Sequence, residues 1–298
     1  MTALRSLLFV PGNKQNMLEK AVGFRPDVFV PDMEDSVPDA EKANARETIK
    51  GFLPRFSATG IPVMPRINSL DTGWMESDLA AVVAAEIFGI SIGKIDSPQD
   101  IETVSDLLAE LEQASNLTVG SLKIIPWLES ARAIVKCYEI CASSPRIIGA
   151  AFGAEDFTHD LGIERREDES EVAYARNVLC IAARAAGVAA LDTPYFRFKD
   201  EVGLRANSAA SKRYGFKGRF AIHPAQIEAI NETFTPSQTE IDYARRVVAA
   251  FEEAEATGRG STTLDGKVID VPVVKRARAV LELAGTAIEE KGPGPFIK

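Results

Sequence analysis

The most constraining feature of this chain is a regular succession of short apolar runs separated by charged segments of helical character. The runs are mostly continuous and do not alternate with polar residues, which is typical of parallel strands covered on both faces. Eight such runs are predicted as strands: Ser6–Val10, Val28–Asp32, Val63–Ile67, Ile87–Ile92, Leu122–Leu128, Ile147–Phe152, Val188–Leu191 and Phe220–Ile222.

Helical segments are predicted between the strands: Lys14–Val22, Glu41–Phe52, Met75–Ala85, Ile101–Ala114, Ala131–Ala142, Glu171–Ala186 and Leu204–Tyr214. Eight strands with interleaved helices predict an α/β fold that closes into a (β/α)8 TIM barrel rather than an open doubly wound sheet. No GxGxxG motif follows a strand, which argues further against a Rossmann domain. The 298 residues exceed the roughly 250 of such a barrel. We therefore predict a barrel over residues 1–224 and a C-terminal extension over residues 225–298.

The extension predicts helical structure as far as about residue 255, interrupted near Pro236, and a final helix over residues 273–290. Between them, Asp265-Gly266 is a tight-turn signal that joins Thr262–Leu264 to Val268–Val271. A barrel closes without these residues. We therefore expect the extension to form a lid over the active mouth or an arm onto a neighbouring subunit.

The charge and cysteine content disfavour several classes of function. A formal net charge of −9 makes nucleic acid and anionic membranes poor partners. Cys137, Cys141 and Cys180 are too few for a disulfide scaffold, and His159 and His223 are the only histidines, so a thiolate–imidazole zinc site is poorly supported. The sequence shows no signal-peptide pattern and no apolar stretch of about 18 residues. It predicts a soluble, cytoplasmic protein.

Two carboxylates follow consecutive predicted strands, Glu129 directly and Asp156 a few residues later. The carboxyl ends of parallel strands converge where an α/β barrel carries out its chemistry. Acidic oxygens held there suit a hard divalent ion such as Mg²⁺. The alternative is that either acid only caps the helix that follows it.

Charged residues also end the second and third strands. Asp32, Glu34 and Asp35 fall within four positions, and they would repel one another unless a cation or basic group lay nearby. Arg66 is flanked by apolar strand residues and is costly to bury without an anionic partner. Its planar fork suits a substrate carboxylate or an enolate oxygen that develops in the transition state. The alternative is a structural ion pair with an acid of the barrel.

Weaker patterns end the first and fourth strands. Pro11-Gly12 would allow a ligand close to the backbone, and Lys14 near a helix start would meet a phosphate, although Pro-Gly is more often only a turn. Lys94 follows strand four. It reads as a charged positioning or ion-pairing residue rather than a Schiff-base lysine.

Two further titratable residues lie near the end of the predicted barrel and in the extension. His223 follows strand eight, where a proton shuttle and a hydrogen-bonded structural histidine both fit. Asp270 is embedded in apolar residues of the extension and has no structural role evident from the sequence. A carboxylate carried into a desolvated site suits proton transfer near neutral pH.

Taken together, these strings are similar to those of a known family: Leu8-Phe9-Val10-Pro11-Gly12, Asp32-Met33-Glu34-Asp35-Ser36-Val37, Lys42 with Ala45-Arg46, Arg66-Ile67-Asn68, Glu129-Ser130-Ala131, Phe152-Gly153-Ala154-Glu155-Asp156, Ala175-Arg176, Ile222-His223-Pro224-Ala225-Gln226-Ile227 and Ile269-Asp270-Val271-Pro272. The chain resembles, over nearly its whole length, the CoA-ester lyases related to the citrate lyase β subunit, in the HpcH/HpaI aldolase superfamily. These include malyl-CoA, β-methylmalyl-CoA and citramalyl-CoA lyases.

The resemblance implies a TIM barrel, Mg²⁺ dependence and a trimeric or hexameric assembly. It implies that Glu129 and Asp156 bind the metal and that Glu34 and Asp35 hold metal-bound water. Arg66 would bind substrate oxygens, and Asp270 would be the acid/base that reaches over the active site of an adjacent subunit. Glu129, Pro11, Gly12 and Lys14 would complete the substrate-binding set.

The activity implied by the resemblance is cleavage or formation of a 3-hydroxyacyl-CoA such as citramalyl-CoA or malyl-CoA, with acetyl-CoA and a 2-keto acid (pyruvate or glyoxylate) as the other side of the reaction. Three alternatives stay open. One is a citryl-CoA lyase within a citrate lyase complex, although the Asp270-bearing extension favours a self-contained enzyme. The second is a metal-dependent hydroxy-keto-acid aldolase that acts on pyruvate without CoA, and the third is a non-catalytic barrel.

Overall fold

Eight parallel strands close into a barrel in the computed structural model, which describes residues 3–289. Each strand pairs with the next, and the eighth returns to pair with the first through Leu7 and Phe220. The predicted TIM barrel is confirmed. Its strands are β1 (Ser6–Pro11), β2 (Val28–Asp32), β3 (Arg66–Ile67), β4 (Gly89–Ile92), β5 (Lys123–Leu128), β6 (Gly149–Phe152), β7 (Ala189–Asp192) and β8 (Gly218–Ala221).

Helices connect the strands and follow the last one: α1 (Gln15–Ala21), α2 (Lys42–Ser57), α3 (Met75–Val82), α4 (Pro98–Ala114), α5 (Ala131–Val135), α6 (Cys137–Cys141), α7 (Ala154–Leu161), α8 (Ala173–Ala186), α9 (Glu201–Tyr214) and α10 (Ile227–Phe234). Two departures from the sequence prediction matter. The helix predicted over Ala131–Ala142 is broken at Lys136 into α5 and α6. Helix α7 was not predicted, and it carries Asp156 in its first turn.

The barrel interior explains why polar side chains gather at one end. Consecutive members of the interior core on one strand, such as Ile125 and Trp127, are two residues apart, because alternate strand residues point inward. The next inward-pointing position toward the carboxyl end of each strand is Asp32 after Val30, Arg66 after Met64 and Glu129 after Trp127. The interior core itself consists of Leu4, Leu7, Val28, Val30, Met64, Ile125, Trp127, Ala151, Leu191 and Phe220.

The described residues divide into two units, one that ends at Asn231 and one that begins at Glu232. The sequence predicted the end of the barrel at residue 224, before α10. Within the second unit, α11 (Gln238–Ala256) is followed by an antiparallel hairpin of β9 (Thr262–Leu264) and β10 (Lys267–Ile269) and by α12 (Val271–Glu289). The end of the predicted final helix, residue 290, lies outside the described residues.

The hairpin of the second unit turns at the predicted Asp265-Gly266. Both residues have positive φ, 50° and 74°, as a two-residue type I′ turn requires. The unit has its own apolar core, in which Phe251 of α11 and Ile269 of β10 belong to the same cluster as Val274 of α12. No helix among the described residues combines the length and hydropathy needed to span a lipid bilayer.

Candidate active site

Arg66 and Asp32 form the centre of a charged cluster at the carboxyl-terminal mouth of the barrel. They are register partners on β3 and β2, and the Asp32 carboxylate accepts hydrogen bonds from Nε (2.7 Å) and Nη2 (2.6 Å) of Arg66. The guanidinium lies 4.4 Å from the centre of the Phe9 ring. Burial pushes the pKa of Asp32 up, but the Arg66 guanidinium outweighs it and holds that pKa below its usual value. The ion pair with a barrel acid is therefore present, and contact of Arg66 with substrate stays a prediction.

The third nitrogen of Arg66 contacts the other two acids of the second strand end. Its Nη1 lies 2.9 Å from Oε2 of Glu34 and 3.0 Å from Oδ2 of Asp35. Glu34 is almost fully buried. Burial and the neighbouring Asp35 raise its pKa, against the opposing effect of Arg66. The basic group that three clustered acids require is thus Arg66, together with the lysine described next.

Lys94 connects the acids of two strand ends. Its Nζ lies 2.9 Å from Oε1 of Glu34, and its backbone N–H donates to Oε1 of Glu129 at 2.7 Å. Lys94 adopts φ of +55°, a left-handed conformation that is unusual for a residue with a side chain. Burial lowers the pKa of the ammonium, but Glu34 and the other acids outweigh it and raise the pKa overall. The predicted ion-pairing role of Lys94 is confirmed.

Lys42 is a site residue for which no role was predicted from the sequence. Only 5% of it is exposed, and its Nζ donates to the carbonyl oxygens of Met33 (2.9 Å) and Glu34 (2.8 Å). Asp32 adds a hydrogen bond from the Glu34 N–H at 2.9 Å. The loop after β2 is therefore fixed from two sides. The presence of Lys42 in the family motif was the available indication, but the buried backbone carbonyls that it satisfies were not readable from the sequence.

Glu129 sits in a space that two glycines leave open. A Cβ on Gly153 would lie 2.1 Å from Oε2 of Glu129, and a Cβ on Gly93 would lie 3.0 Å from its Oε1 and 2.7 Å from Oε1 of Glu34. Any side chain at either position would displace the carboxylate. Glu129 does not cap the following helix, because the Ser130 hydroxyl accepts the cap hydrogen bond of α5. The capping alternative for Glu129 is therefore excluded.

The pKa values of both Glu129 and Asp156 are raised. Burial, then the charges of Asp156 and Glu34, raise the pKa of Glu129 to about 8, although the Lys94 N–H and Arg66 oppose the change. Burial and Asp35 likewise raise the pKa of Asp156. Asp156 lies in the first turn of α7, where a carboxylate is also favoured by the helix N-terminus. The position of Asp156 is thus compatible both with metal binding and with capping of α7.

The residues present fit a hard divalent cation. The cluster offers only oxygen ligands, and burial and neighbouring negative charges raise the pKa of Glu34 and Glu129, which means that added positive charge among them is favourable. Among the described residues, no three or more His, Cys, Asp or Glu side chains are arranged so that they could hold a metal together. This set suits Mg²⁺, which is commonly held by one or two carboxylates and completes its shell with water and substrate oxygens.

The predicted residues of the first strand end have other neighbours. A Cβ on Gly12 would lie 2.5 Å from Cδ1 of Ile49 and 2.6 Å from the carbonyl oxygen of Asp32, and the Gly12 N–H donates to that oxygen at 2.8 Å. Packing between strand and helix therefore requires a glycine at position 12, and the role of Gly12 in substrate binding stays a prediction. Pro11 is half-buried and Lys14 is exposed. Their role in substrate binding stays a prediction.

His223 and Asp270 both have structural roles. Nδ1 of His223 accepts the N–H of Ala225 at 3.2 Å, as a cap of the turn after β8. Oδ1 of Asp270 accepts the N–H of Val273 at 3.2 Å in the first turn of α12. The sequence interpretation that Asp270 lacks a structural role was wrong, because the hairpin ends directly before a helix that needs a capping acceptor. Its action on an adjacent subunit stays a prediction.

The fold and the acidic mouth define a TIM-barrel enzyme with a candidate metal site, and comparison with known proteins makes the class specific. The profile of the HpcH/HpaI aldolase/citrate lyase family matches residues 5–224. The chain therefore belongs to this family of carbon–carbon lyases. The resemblance identified from the sequence is confirmed.

Individual relatives cover almost the whole chain. It is 38% identical over 294 residues to citrate lyase subunit beta of Leuconostoc mesenteroides subsp. cremoris, which covers 99% of this chain and 97% of that protein. It is 36% identical over 280 residues to a (3S)-malyl-CoA thioesterase of Cereibacter sphaeroides, with 94% of each covered. The crystal structure of CitE from Mycobacterium tuberculosis in complex with magnesium, acetoacetate and coenzyme A matches with a TM-score of 0.77 and 28% identity, over 95% of this chain and 98% of that one.

Proposed function

We propose that this protein is an Mg²⁺-dependent carbon–carbon lyase that converts a short 3-hydroxyacyl-CoA, such as citramalyl-CoA or malyl-CoA, into acetyl-CoA and a 2-keto acid. The observation that carries the proposal is the cluster of Glu34, Asp35, Glu129 and Asp156 at the barrel mouth, where burial and neighbouring carboxylates raise the pKa of Glu34, Glu129 and Asp156. The magnesium, acetoacetate and coenzyme A bound to the mycobacterial relative support it.

In this proposal Glu129 and Asp156 would hold the metal, and Glu34 and Asp35 would bind water beside it. A bound Mg²⁺ supplies a Lewis acid that polarises the keto and carboxylate oxygens of the 2-keto acid. The chain's own residues fix this arrangement: the Lys94 N–H orients Glu129, and the Lys94 ammonium orients Glu34. Neither bond depends on the substrate.

Arg66 would contribute mainly through its charge. Its hydrogen bonds with Asp32 and Asp35 engage three of the five N–H donors of a guanidinium, and Glu34 forms an ion pair with Nη1, so each of the three guanidinium nitrogens already contacts a carboxylate. A fixed positive charge near the mouth stabilises negative charge that develops on the enolate oxygen of the thioester. Arg66 would therefore act on the enolate as a pre-oriented charge rather than as a bidentate clamp.

Proton transfer would be the task of Asp270 from an adjacent subunit. In the direction of synthesis, its carboxylate removes a proton from the acetyl methyl group of acetyl-CoA, and the resulting enolate carbon attacks the keto carbon of the 2-keto acid. The alkoxide formed by this attack takes a proton from water, and in cleavage the hydroxyl returns that proton to water as the carbon–carbon bond breaks. In cleavage, the protonated Asp270 returns the proton to the same carbon. We propose a homo-oligomer, a trimer or hexamer, because this role requires a second copy of the chain.

Citryl-CoA cleavage is a second candidate. The citrate lyase β subunit of Leuconostoc is similar over 97% of its own length. That match includes the C-terminal extension. The sequence interpretation took the extension as favouring a self-contained lyase, but a citrate lyase β subunit has a similar extension. Substrate choice depends on the volume beside the metal, where one methylene group changes specificity by only about 1–3 kcal/mol.

The purified protein is incubated, with and without Mg²⁺, with citramalyl-CoA, malyl-CoA, β-methylmalyl-CoA and citryl-CoA. The keto acid and the acyl-CoA product, which is propionyl-CoA from β-methylmalyl-CoA and acetyl-CoA from the other three, are quantified by chromatography. We expect cleavage of at least one ester, and its loss with EDTA and in Glu129→Ala and Asp156→Ala. Cleavage of citryl-CoA alone would select the second candidate. Release of free CoA without carbon–carbon cleavage would instead match the thioesterase relatives, and inactivity on all four esters would contradict the proposal.

A further inference from the structure

Helix α8 carries an apolar stripe on its outer side. Tyr174 is 81% exposed and Ile181 is 71% exposed, while Val178 is partly exposed and Ala185 is exposed. Their spacings of four, three and four residues place them on one face of the helix. We call Tyr174, Val178, Ile181 and Ala185 the α8 seam, because the same spacing forms the contact between the helices of a coiled coil.

The seam makes α8 apolar on two faces. The charged residues in its sequence are Arg176, which is buried, and Arg184, which is exposed. A helix that is apolar all round is normally covered on both faces, and the 14 residues of α8 are too few to cross a membrane. The outer face therefore suits a protein partner. The face that packs on the barrel consists of Ala175, Leu179, Cys180, Ala182 and Ala183.

The helices beside α8 widen this apolar surface. Helices α5 and α6 pack next to α8, and Val135 and Tyr138 on them are 87% and 54% exposed. With Tyr174 and Ile181, these side chains expose roughly 500–600 Å² of surface, compared with about 800 Å² that one partner contributes to a standard protein interface. An exposed apolar patch of this size marks a binding surface.

The seam is complementary to a second copy of itself in the antiparallel direction. A two-fold axis through its middle places Tyr174 level with the partner subunit's Ala185, and Val178 level with the partner subunit's Ile181. The largest side chain of the seam thus meets the smallest, and the two side chains of intermediate size meet at the centre. Reciprocal contacts of this kind define an interface around a two-fold axis.

The polar residues beside the seam fit the same arrangement. Asn177 and Arg184 lie seven residues apart, on one side of the seam. The side-chain nitrogen of Asn177 donates to the carbonyl oxygen of Ala173 at 2.7 Å, which leaves its side-chain oxygen as an acceptor. In the antiparallel pair, Arg184 lies within half a turn of the partner subunit's Asn177, whereas the two Arg184 residues are about 13 Å apart along the helix axis. The pair brings a donor to an acceptor and keeps the two positive charges apart.

We propose that the α8 seam pairs with the seam of a second copy of this chain around a two-fold axis. The seam lies on the outside of the barrel, so this contact is separate from the acids of the candidate active site. It requires an even number of copies in the assembly. Combined with the proposed trimer or hexamer it selects the hexamer, in which two-fold contacts join two trimers. The pairing itself does not depend on the lyase reaction.

The first test measures the mass of the purified protein by size-exclusion chromatography with light scattering. We expect an even number of copies for the wild type. Ile181→Arg places a charge at the centre of the seam, so its mass should be half that of the wild type at the same protein concentration. Val119→Arg is the matched control, because Val119 is 57% exposed in the loop between α4 and β5. Its mass should equal that of the wild type.

The second test identifies which residues meet. The native cysteines are buried, so thiols placed on the seam are the accessible ones. The double variant Tyr174→Cys Ala185→Cys should form a disulfide-linked dimer when it is oxidised with glutathione disulfide, because the two positions lie level across the axis. Each single variant should stay unlinked, because a residue at either position is eleven residues, about 16 Å along the axis, from its counterpart in the partner.

A wild type that is a monomer, or that has an odd number of copies, would overturn the proposal. An unchanged mass of Ile181→Arg would also overturn it, as would a fall to one third, because the seam would then belong to a three-fold contact. Cross-linking of a single variant as readily as the double variant would contradict the antiparallel pair. These results concern assembly alone, and cleavage of the acyl-CoA esters tests the lyase proposal separately.

Discussion

Replacement of Glu129 by glutamine should make the metal-free protein more stable while it removes metal binding. Glu129 is 8% exposed, and burial together with the charges of Asp156 and Glu34 raises its pKa to about 8 from 4.5. Glutamine has nearly the same shape and retains an oxygen that accepts the Lys94 N–H. The substitution therefore removes the charge and preserves the hydrogen bond.

The magnitude follows from proton linkage. Between pH 4.5 and 8 the unfolded chain ionises Glu129 while the folded protein holds it protonated, so the free energy of unfolding falls as pH rises. Below pH 4.5 the raised pKa does not reduce the free energy of unfolding, and above pH 8 the reduction has reached its full value. We call this reduction the penalty. At pH 7 it amounts to about 3 kcal/mol. We expect Glu129→Gln to recover about 1–3 kcal/mol at pH 8, or several degrees in Tm for a chain of this size.

The assay is thermal unfolding from pH 5 to 9, in EDTA and in increasing Mg²⁺. Wild-type Tm should decline toward pH 8 in EDTA and rise with Mg²⁺, whereas Glu129→Gln should show a flatter pH profile, no response to Mg²⁺ and no turnover. Glu155→Gln is the control, because Glu155 precedes Asp156 on α7 but its side chain is 53% exposed. A variant less stable than wild type at pH 8 in EDTA, or one that still responds to Mg²⁺, would refute the reasoning.

Three further substitutions test parts of the structure. Gly153→Ala should displace the Glu129 carboxylate, since the new Cβ would lie 2.1 Å from its Oε2, and should reduce kcat/KM about 100-fold or more. Gly51→Ala is the control, because open space surrounds Gly51, and its kcat/KM should match the wild type. Equal activity of the two variants would contradict the close packing of Glu129 against Gly153. Glu112→Gln should lower the free energy of unfolding by about 3 kcal/mol at pH 7, because it breaks a buried bidentate pair with an arginine. The pKa of Glu112 is lowered to about 2, so the stabilisation that its carboxylate provides is present above pH 4.5 and is lost as pH falls toward 2. An acid unfolding curve of Glu112→Gln that matches the wild type would contradict this. Lys94→Ala retains the N–H that binds Glu129, so it should keep substantial activity, within about tenfold of wild type; complete inactivity in steady-state assays would mean that the ammonium takes part in the reaction.

The sequence predicted the barrel because strands buried on both faces leave unbroken apolar runs. Its errors occur where this rule fails. Strand β8 begins at Gly218, and its Arg219 is fully buried, yet the predicted strand began only at Phe220. Arg219 is tolerated because Ser208, Asn207, Asp192 and the Thr193 carbonyl all accept its hydrogen bonds. Such long-range partners leave no local pattern in the sequence.

The acids of the site were predictable from their positions at strand ends, but the contacts that hold them were not. The sequence left open whether Arg66 pairs with an acid, and only the register of β2 and β3 identifies Asp32 as that acid. The left-handed backbone of Lys94 is likewise invisible in the sequence, since residues other than glycine seldom adopt it. Helix α7 was missed because its first turn directly follows a buried strand and reads as the end of that strand.

The most direct test is a crystal structure with Mg²⁺ and a 2-keto acid bound. We expect one metal ion about 2.1 Å from carboxylate oxygens of Glu129 and Asp156, with water between it and Glu34 or Asp35 and with the keto acid in its remaining positions. Oxygens of Glu129 and Asp156 that point apart, or a metal bound elsewhere in the barrel while these two acids stay unliganded, would contradict the proposed magnesium site and the lyase reaction that depends on it.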